Sequence, residues 1–188
     1  MKNILIGGTI RAGKSTLAYL IKNKLNYSVC ECDTIVNAFH KVFPDLGIVH
    51  NKPKEARENF KPFLYQLLNG FLKGLNWYNN VTIFPGSQFL PNQIDEYPKK
   101  ENYIVIFLGI NDVKPEDLAK TIRDNESEFD WTQRESDESL LALSKNIIDE
   151  SNYLKNECAK FGFYYFNTYF DRENVFNSII NLIEELEK

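Results

Sequence analysis

The feature that most constrains this chain is a glycine-rich segment between an apolar run and an amphipathic stretch. Residues 4–6 are apolar and typical of the first strand of a parallel sheet. Just beyond them, Gly8, Gly13, Lys14 and Ser15 match the pattern G-x-x-x-x-G-K-S/T at full spacing, and apolar residues then return at helical spacing. In a strand, loop and helix of this kind, backbone amides of the loop and of the first helical turn point at one anion. The segment therefore predicts a binding site for a nucleoside triphosphate.

The positions of this loop have separate predicted roles. Lys14 is expected to bridge the β- and γ-phosphates, and the Ser15 hydroxyl is expected to ligate Mg²⁺. The alternative is a glycine-rich turn that holds no nucleotide. The residues predicted to bind the triphosphate are Gly8, Thr9, Ile10, Arg11, Ala12, Gly13, Lys14, Ser15 and Thr16.

Length and charge limit the other possibilities. The 188 residues predict a single domain spanning 1–188. A net charge of −4 disfavours a nucleic-acid partner, because such proteins usually present a basic face. No apolar run approaches the roughly 20 residues that span a bilayer, and Lys2 leads directly into a strand rather than a signal peptide. The three cysteines complete no metal quartet and are expected to be reduced thiols, so the predicted compartment is the cytoplasm. The protein is expected to be a monomer or a homodimer.

Strand and helix patterns alternate along the chain. The alternation predicts an α/β fold with a doubly wound parallel sheet, in which ligands bind at the carboxyl ends of the strands. The segment 87–100 is expected to cross the surface, and the charged stretch 124–138 is expected to be mobile. The predicted strands are 2–7, 27–33, 81–84, 103–108 and 163–166, and the predicted helices are 14–25, 34–43, 54–78, 115–124, 137–160 and a last helix that Asp171 caps.

Missing motifs narrow the class of nucleotide-binding protein. No Asp has a Gly three residues further on, and the guanine-reading motif N-K-x-D is absent, so a GTPase switch is excluded. Motor ATPases need an apolar strand that ends in Asp-Glu. Here that pair, Asp149 and Glu150, lies inside a helical pattern and is interpreted as an ordinary helix surface. Small-molecule kinases remain.

Two acids follow the second predicted strand. Asp33 is expected to lie beside the γ-phosphate and to orient or deprotonate an acceptor hydroxyl. An N-cap of the following helix is the alternative, and both roles can coexist. Glu31 is expected on the same side of the strand, where it could hold Mg²⁺ through water; a solvated strand residue is its alternative.

Phosphoryl transfer also needs positive charge and exclusion of water. Arg123 and Arg134 are the catalytic candidates, because they flank a segment, 122–138, that is suited to being a closing lid. Arg11 in the loop is a further candidate, since a guanidinium fits a phosphate in a bidentate manner. Solvated surface charges are the alternative for each arginine.

With these residues the chain resembles the P-loop kinases of the nucleoside-monophosphate-kinase-like group, which includes adenylate, shikimate and gluconate kinases and chloramphenicol phosphotransferase. Glu31, Cys32 and Asp33 look like the acidic motif of the shikimate kinase-like members, and Arg123 and Arg134 look like lid arginines. The resemblance implies a three-layer fold with a five-stranded parallel sheet of order 2-3-1-4-5. It also implies an acceptor site made by about 34–78 and Mg-ATP as the donor.

The chain departs from this family in two respects. Many relatives carry an acid at the end of the third strand, where this chain has Phe84, Pro85 and Gly86. Arg57 is the only arginine within 34–100, so the pair of arginines expected to bind a monophosphate acceptor is missing. This favours a neutral or hydroxyl-bearing acceptor. We expect an ATP-dependent phosphotransferase acting on a small-molecule hydroxyl. The alternatives are a nucleoside or nucleoside-monophosphate kinase and a non-catalytic ATP-binding regulator.

Overall fold

The apolar runs of the sequence form the centre of a five-stranded sheet in a computed structural model that describes residues 1–49, 53–128 and 130–187. The sheet order is β2-β3-β1-β4-β5 and each neighbouring pair is parallel, which confirms the predicted fold. In the central strand, Ile4 pairs with Ile83 on one side and with Ile104 on the other. The strands are β1 (Asn3–Gly8), β2 (Ser28–Val29), β3 (Thr82–Pro85), β4 (Tyr103–Gly109) and β5 (Tyr164–Asn167).

Helices cover both faces of the sheet, because side chains alternate along its buried strands and each face needs an apolar cover. Ile4 and Ile6 pack on one face, whereas Leu5 packs on the other. No helix in the described ranges is long and apolar enough to cross a membrane. The helices are α1 (Lys14–Leu25), α2 (Cys32–Val42), α3 (Pro53–Tyr78), α4 (Pro91–Asp95), α5 (Pro115–Asp124), α6 (Asp137–Phe161) and α7 (Arg172–Leu186), with 3₁₀ turns at Pro44–Leu46, Lys100–Asn102 and Trp131–Arg134.

The second strand is much shorter than predicted, and this changes the setting of both acids. Strand β2 ends at Val29 and helix α2 begins at Cys32, so the strand predicted over 27–33 is confirmed at 28–29 and its predicted extent is wrong. Glu31 occupies the N-cap position and Asp33 lies in the first turn of α2. The proposed N-cap role of Asp33 is therefore also wrong. The early turn is stabilised by packing, because Cys32 is buried directly against Gly86, where a Cβ atom would lie only 2.7 Å from Cys32 Cβ.

The segment 87–100 is also not the surface crossing that its polar composition predicts. Phe89, Ile94 and Tyr97 are at most 2% exposed and join the core on the α3 side of the sheet. The Gln93 side chain accepts a hydrogen bond from the Leu90 amide at 3.0 Å, which satisfies the backbone of a buried helix start. Polar residues here support a short helix rather than mark a loop.

The cysteines agree with the prediction of free thiols. Cys32 and Cys158 are buried and Cys30 is half-buried, and all three are unpaired. Within the residues that the structure describes, no three His, Cys, Asp or Glu side chains form a group that could hold a metal ion.

Candidate active site

The glycine-rich loop joins β1 to α1 at the carboxyl end of the sheet. Gly8 has a φ of +132°, and a Cβ atom there would lie 2.0 Å from the carbonyl oxygen of Leu108. Gly13 has a φ of +85° and a Cβ atom on it would lie 2.8 Å from the ring of Phe176. Both positions therefore require glycine, because the loop packs tightly against β4 and α7 before any ligand is considered.

A cavity of about 700 Å³ opens in front of this loop. Such a volume lies within the range of small-molecule sites. Its walls come from the loop, the start of α2, helix α5 and the segment between β5 and α7. The lining residues are Ile10, Arg11, Gly13, Lys14, Ser15, Thr16, Asp33, Ser87, Ile110, Leu118, Thr121, Ile122, Asn125, Trp131, Tyr169 and Arg172.

Lys14 lies at the floor of this cavity. Its Nζ donates a hydrogen bond of 2.6 Å to the carbonyl oxygen of Thr9. Burial of the ammonium lowers the pKa of Lys14 from 10.5 to about 8, although the charges of Asp33, Glu150 and Glu31 act in the opposite direction. The lysine is thus a cation held at a position where its charged form is disfavoured, which suits it to binding an anion.

The two predicted acids both reach the loop, despite the error in the second strand. Glu31 Oε2 lies 3.4 Å from Ser15 Oγ. Burial and the neighbouring charge of Asp33 raise the pKa of Glu31. Asp33 lines the cavity and accepts a hydrogen bond from Gln88 Nε2, which fixes the orientation of its carboxylate. The structure therefore brings together Lys14, Ser15, Glu31 and Asp33.

Arg11 holds the described part of the segment 122–138, which we call the lid. Its Nη1 and Nη2 donate to the two carboxylate oxygens of Asp130 at 2.7 and 2.5 Å, and Nη2 also donates to Thr132 Oγ1 at 2.5 Å. These bonds lower the pKa of Asp130 to about 2. The Arg11 guanidinium lies over the ring of Trp131, with 5.9 Å between Arg11 Cζ and the ring centroid. The predicted mobile stretch is thus anchored to the loop through this part.

Arg123 and Arg134 do not line the cavity, contrary to the expectation that they close over the transferring group. Arg123 lies on α5 and donates to Glu135 O at 2.9 Å and to Asp137 Oδ1 at 3.0 Å, so its guanidinium fastens the base of the lid. Arg134 is exposed at the end of a 3₁₀ turn. Arg11 and Arg172, and neither Arg123 nor Arg134, are the arginines that line the cavity.

Arg172 was not among the predicted site residues. It lines the cavity and donates to the carbonyl oxygens of Arg11 and Thr168, both at 3.2 Å. Its sequence position carries a usable signal, because it follows the fifth strand, and loops after parallel strands form the ligand-binding edge of such sheets.

An ion pair that the sequence analysis did not predict lies next to the segment that carries Ser87 and Gln88. Arg57 Nε donates to Ser87 O at 2.6 Å, and Arg57 Nη2 donates to Glu150 Oε1 at 2.6 Å. Asp149 and Glu150 lie within α6, which confirms that this pair belongs to a helix and not to a strand end. Glu150 is nevertheless not an ordinary surface residue, because its carboxylate is paired with Arg57. A small cavity of about 40 Å³ adjoins this pair and is lined by Val36, Ile48, Val49, Ala56, Arg57, Ser87 and Gln88.

Helix α6 also supports the loop directly. Ser151 Oγ accepts a hydrogen bond of 2.8 Å from the Ile110 amide and donates one of 2.7 Å to Ile147 O. It lies 3.3 Å from Thr9 Oγ1 inside the buried loop. One hydroxyl thus connects α6, β4 and the phosphate-binding loop.

Comparisons with known proteins agree with this architecture. No family model matches the sequence, and no curated protein is detectably similar to it. Among solved structures, a gluconokinase from Sinorhizobium meliloti 1021 aligns over 98% of this chain and 93% of its own, with a TM-score of 0.61 and 12% identity. A sugar kinase from Janibacter sp. HTCC2649 aligns over 98% and 95%, with a TM-score of 0.61 and 15% identity.

A shikimate kinase from Acinetobacter baumannii in complex with shikimate aligns over 98% of this chain and 94% of its own, with a TM-score of 0.59 and 16% identity. These structures are P-loop small-molecule kinases of the nucleoside-monophosphate-kinase-like group, so the resemblance in fold is confirmed. At such low identities the likeness establishes the fold and leaves the chemistry to the residues of the site.

Proposed function

We propose that this protein is an ATP-dependent phosphotransferase that moves the γ-phosphoryl group of Mg-ATP to a hydroxyl of a small molecule. One observation carries the proposal. The ammonium of Lys14, at the end of a phosphate-binding loop, and the carboxylate of Asp33 converge on the same open cavity. A cation for phosphates and an acid that can orient a hydroxyl are the two groups that phosphoryl transfer requires.

The residues present fit Mg-ATP. Ser15 Oγ and Glu31 Oε2 are 3.4 Å apart and are the hard oxygen ligands that Mg²⁺ prefers, directly or through water. The phosphates would be bound by the loop amides, by Lys14 and by the positive N-terminal end of α1. When bound, Mg-ATP supplies the γ-phosphoryl group, and ADP is the leaving group.

The protein's own groups then have separate tasks. Asp33 accepts the proton of the acceptor hydroxyl, while Gln88 Nε2 keeps the carboxylate in one orientation. Lys14 balances the charge of the phosphates. Arg11, through Asp130, keeps the lid against the loop, and Trp131 covers one side of the cavity, which excludes water from the reacting groups.

A non-catalytic ATP-binding regulator is the second candidate. It is favoured by the end of β3, where Pro85 and Gly86 offer no acidic side chain for a metal ion. In addition, a Cβ atom on Gly86 would meet Gln88 Oε1 at 2.5 Å, so its backbone packs against protein and not against open space for an acceptor.

ADP release from Mg-ATP distinguishes the two candidates. The assay uses pooled nucleosides, nucleoside monophosphates, sugar acids, polyols and other alcohols as acceptors. We expect Lys14→Ala to abolish turnover and Asp33→Asn to lower kcat by roughly 10²-fold or more while ATP still binds. Lys22→Ala and Asp45→Asn, at exposed positions on α1 and in the turn after α2, serve as matched controls. Near-normal turnover by Asp33→Asn would remove Asp33 from the mechanism, and ATP binding without ADP release in any pool would favour the regulator.

A further inference from the structure

The acceptor side of the site contains an arginine whose charge is already used. Arg57 Nε and Nη2, the two nitrogens of one bidentate edge of the guanidinium, are occupied by Ser87 O and Glu150 Oε1. The ion pair is well enclosed, since the side chains of Arg57 and Glu150 are 13% and 28% exposed. An anion that approached this edge would have to displace the Glu150 carboxylate.

The charges around the pair also disfavour an anionic acceptor. Glu150 is paired with Arg57, and the carboxylate of Asp33 adds a second negative charge near Lys14. All three charges act on Lys14, so the pair lies within electrostatic reach of the phosphate-binding loop. Ser87 lines both the large cavity and the small one next to Arg57, which makes the two spaces neighbours.

Gln88 adds a specific requirement. Because a carboxylate only accepts hydrogen bonds, the amide nitrogen of Gln88 faces Asp33 and its oxygen faces away. Gln88 is only 7% exposed, and its Oε1 is buried and has no hydrogen-bond partner within the described ranges. A buried acceptor without a donor is unfavourable. Gln88 Oε1 packs against Gly86, but Gln88 also lines the small cavity, so an O–H or N–H group of a ligand that enters this cavity can satisfy the oxygen once it moves off Gly86.

We infer that the acceptor is a neutral polyhydroxy compound and that Glu150 sets this preference by neutralising Arg57. One hydroxyl lies at Asp33 and receives the phosphoryl group. A second hydroxyl enters the small cavity that Gln88 lines and donates to Gln88 Oε1, which moves off Gly86. The small cavity, about 40 Å³ and walled by Val36, Ile48 and Ala56, takes a single small substituent. The inference rests on the proposed function and names the class of its acceptor.

Matched pairs of acceptors that differ in charge test this inference. Glucitol with gluconate, and ribose with ribose 5-phosphate, are titrated calorimetrically into the protein loaded with a non-hydrolysable Mg-ATP analogue. We expect the wild type to bind the neutral member about tenfold or more tightly than the anionic one. Glu150→Gln should release Arg57 and raise the affinity for the anionic member by about tenfold, the scale of one charge-assisted hydrogen bond.

Two controls separate this effect from a change in overall charge or in folding. Asp149→Asn removes the same charge from an exposed neighbour on α6 and should leave the ratio of affinities unaltered. Adding Arg57→Gln to Glu150→Gln should remove the gain in anion affinity. Thermal melting identifies a variant that fails to fold, and Glu150→Asp, which withdraws the carboxylate but keeps its charge, then provides a graded version of the test.

Three outcomes would overturn the inference: anionic members binding as tightly as neutral ones, no gain in anion affinity with Glu150→Gln, or no binding of either neutral probe. The proposed function is tested separately, by measuring ADP release with the same proteins and acceptors and with Mg-ATP in place of the analogue. Turnover of the anionic member alone would contradict the inference and leave the phosphotransferase standing. Selective neutral binding without turnover would contradict only the phosphotransferase.

Discussion

Binding of a nucleoside triphosphate should be accompanied by uptake of a proton at Lys14. Lys14 is half-buried at the cavity, and burial of its ammonium lowers its pKa in the free protein from 10.5 to about 8. This difference corresponds to about 3 kcal/mol against the charged form. The phosphates of a bound ligand lie against the ammonium and raise its pKa again, so the bound state holds a proton that the free protein partly lacks.

The size of the effect follows from the pKa. At pH 7 Lys14 is already about 90% charged, so binding should take up only about 0.1 proton. The uptake should rise to about 0.5 proton at pH 8 and about 0.9 at pH 9. Because the pKa is higher in the complex than in the free protein, affinity should be constant well below pH 8 and fall by up to about tenfold per pH unit above it.

Calorimetric titrations in pairs of buffers with different ionisation enthalpies measure this uptake directly. All titrations lie above pH 7, where the triphosphate itself is almost fully ionised. Lys14→Ala and Lys14→Arg should both show no uptake, the first because the group is absent and the second because a guanidinium remains charged. Absence of uptake by the wild type at pH 9, or the same uptake by Lys14→Ala, would refute the reasoning.

Three further predictions concern stability. Asp130→Asn should lower the free energy of unfolding by about 1–2 kcal/mol at pH 6. The pKa of Asp130 in the folded protein, about 2, lies below its ordinary 3.8, so the difference between variant and wild type should shrink as pH falls below 4. Urea titrations measure this difference, and a difference that does not change with pH would count against the Arg11 bond. Ser151→Ala should destabilise by about 1–3 kcal/mol, because it leaves the Ile110 amide buried without a partner, and a loss below about 0.5 kcal/mol would contradict this. Gly70→Ala should raise the melting temperature, because α3 has open space at this position and alanine is favoured in a helix by roughly 0.8–1 kcal/mol; a lower melting temperature would show that the space is not open.

The position and the local structure of the glycine-rich loop could be predicted almost completely from the sequence. Its glycines, lysine and serine act through local geometry, and the strand before it and the helix after it are marked by continuous local patterns. The order of the strands was implied by the resemblance, and the structure confirms it. Helix α4 and the early start of α2, which shortens β2, were not predictable in this way. Ile94 of α4 is buried in a core that remote segments build, and Cys32 of α2 is buried against Gly86.

The surroundings of the loop show the same limit. Arg123 and Arg134 were selected by their place near a predicted lid, but a position along the chain does not state which way a guanidinium points. Arg57, Gln88 and Glu150 come from three separate elements, and no spacing relates them.

The sequence by itself determined that this chain has a glycine-rich loop of the P-loop pattern at the start of a parallel α/β sheet, because the pattern is contained in residues 8–15 and their immediate neighbours. Only the tertiary structure decided which charges surround that loop. Arg11 is bound to Asp130 and Arg57 to Glu150, at separations of 119 and 93 residues. Such pairs form when the fold brings remote segments together, and their energy depends on distance and burial, which no local pattern contains.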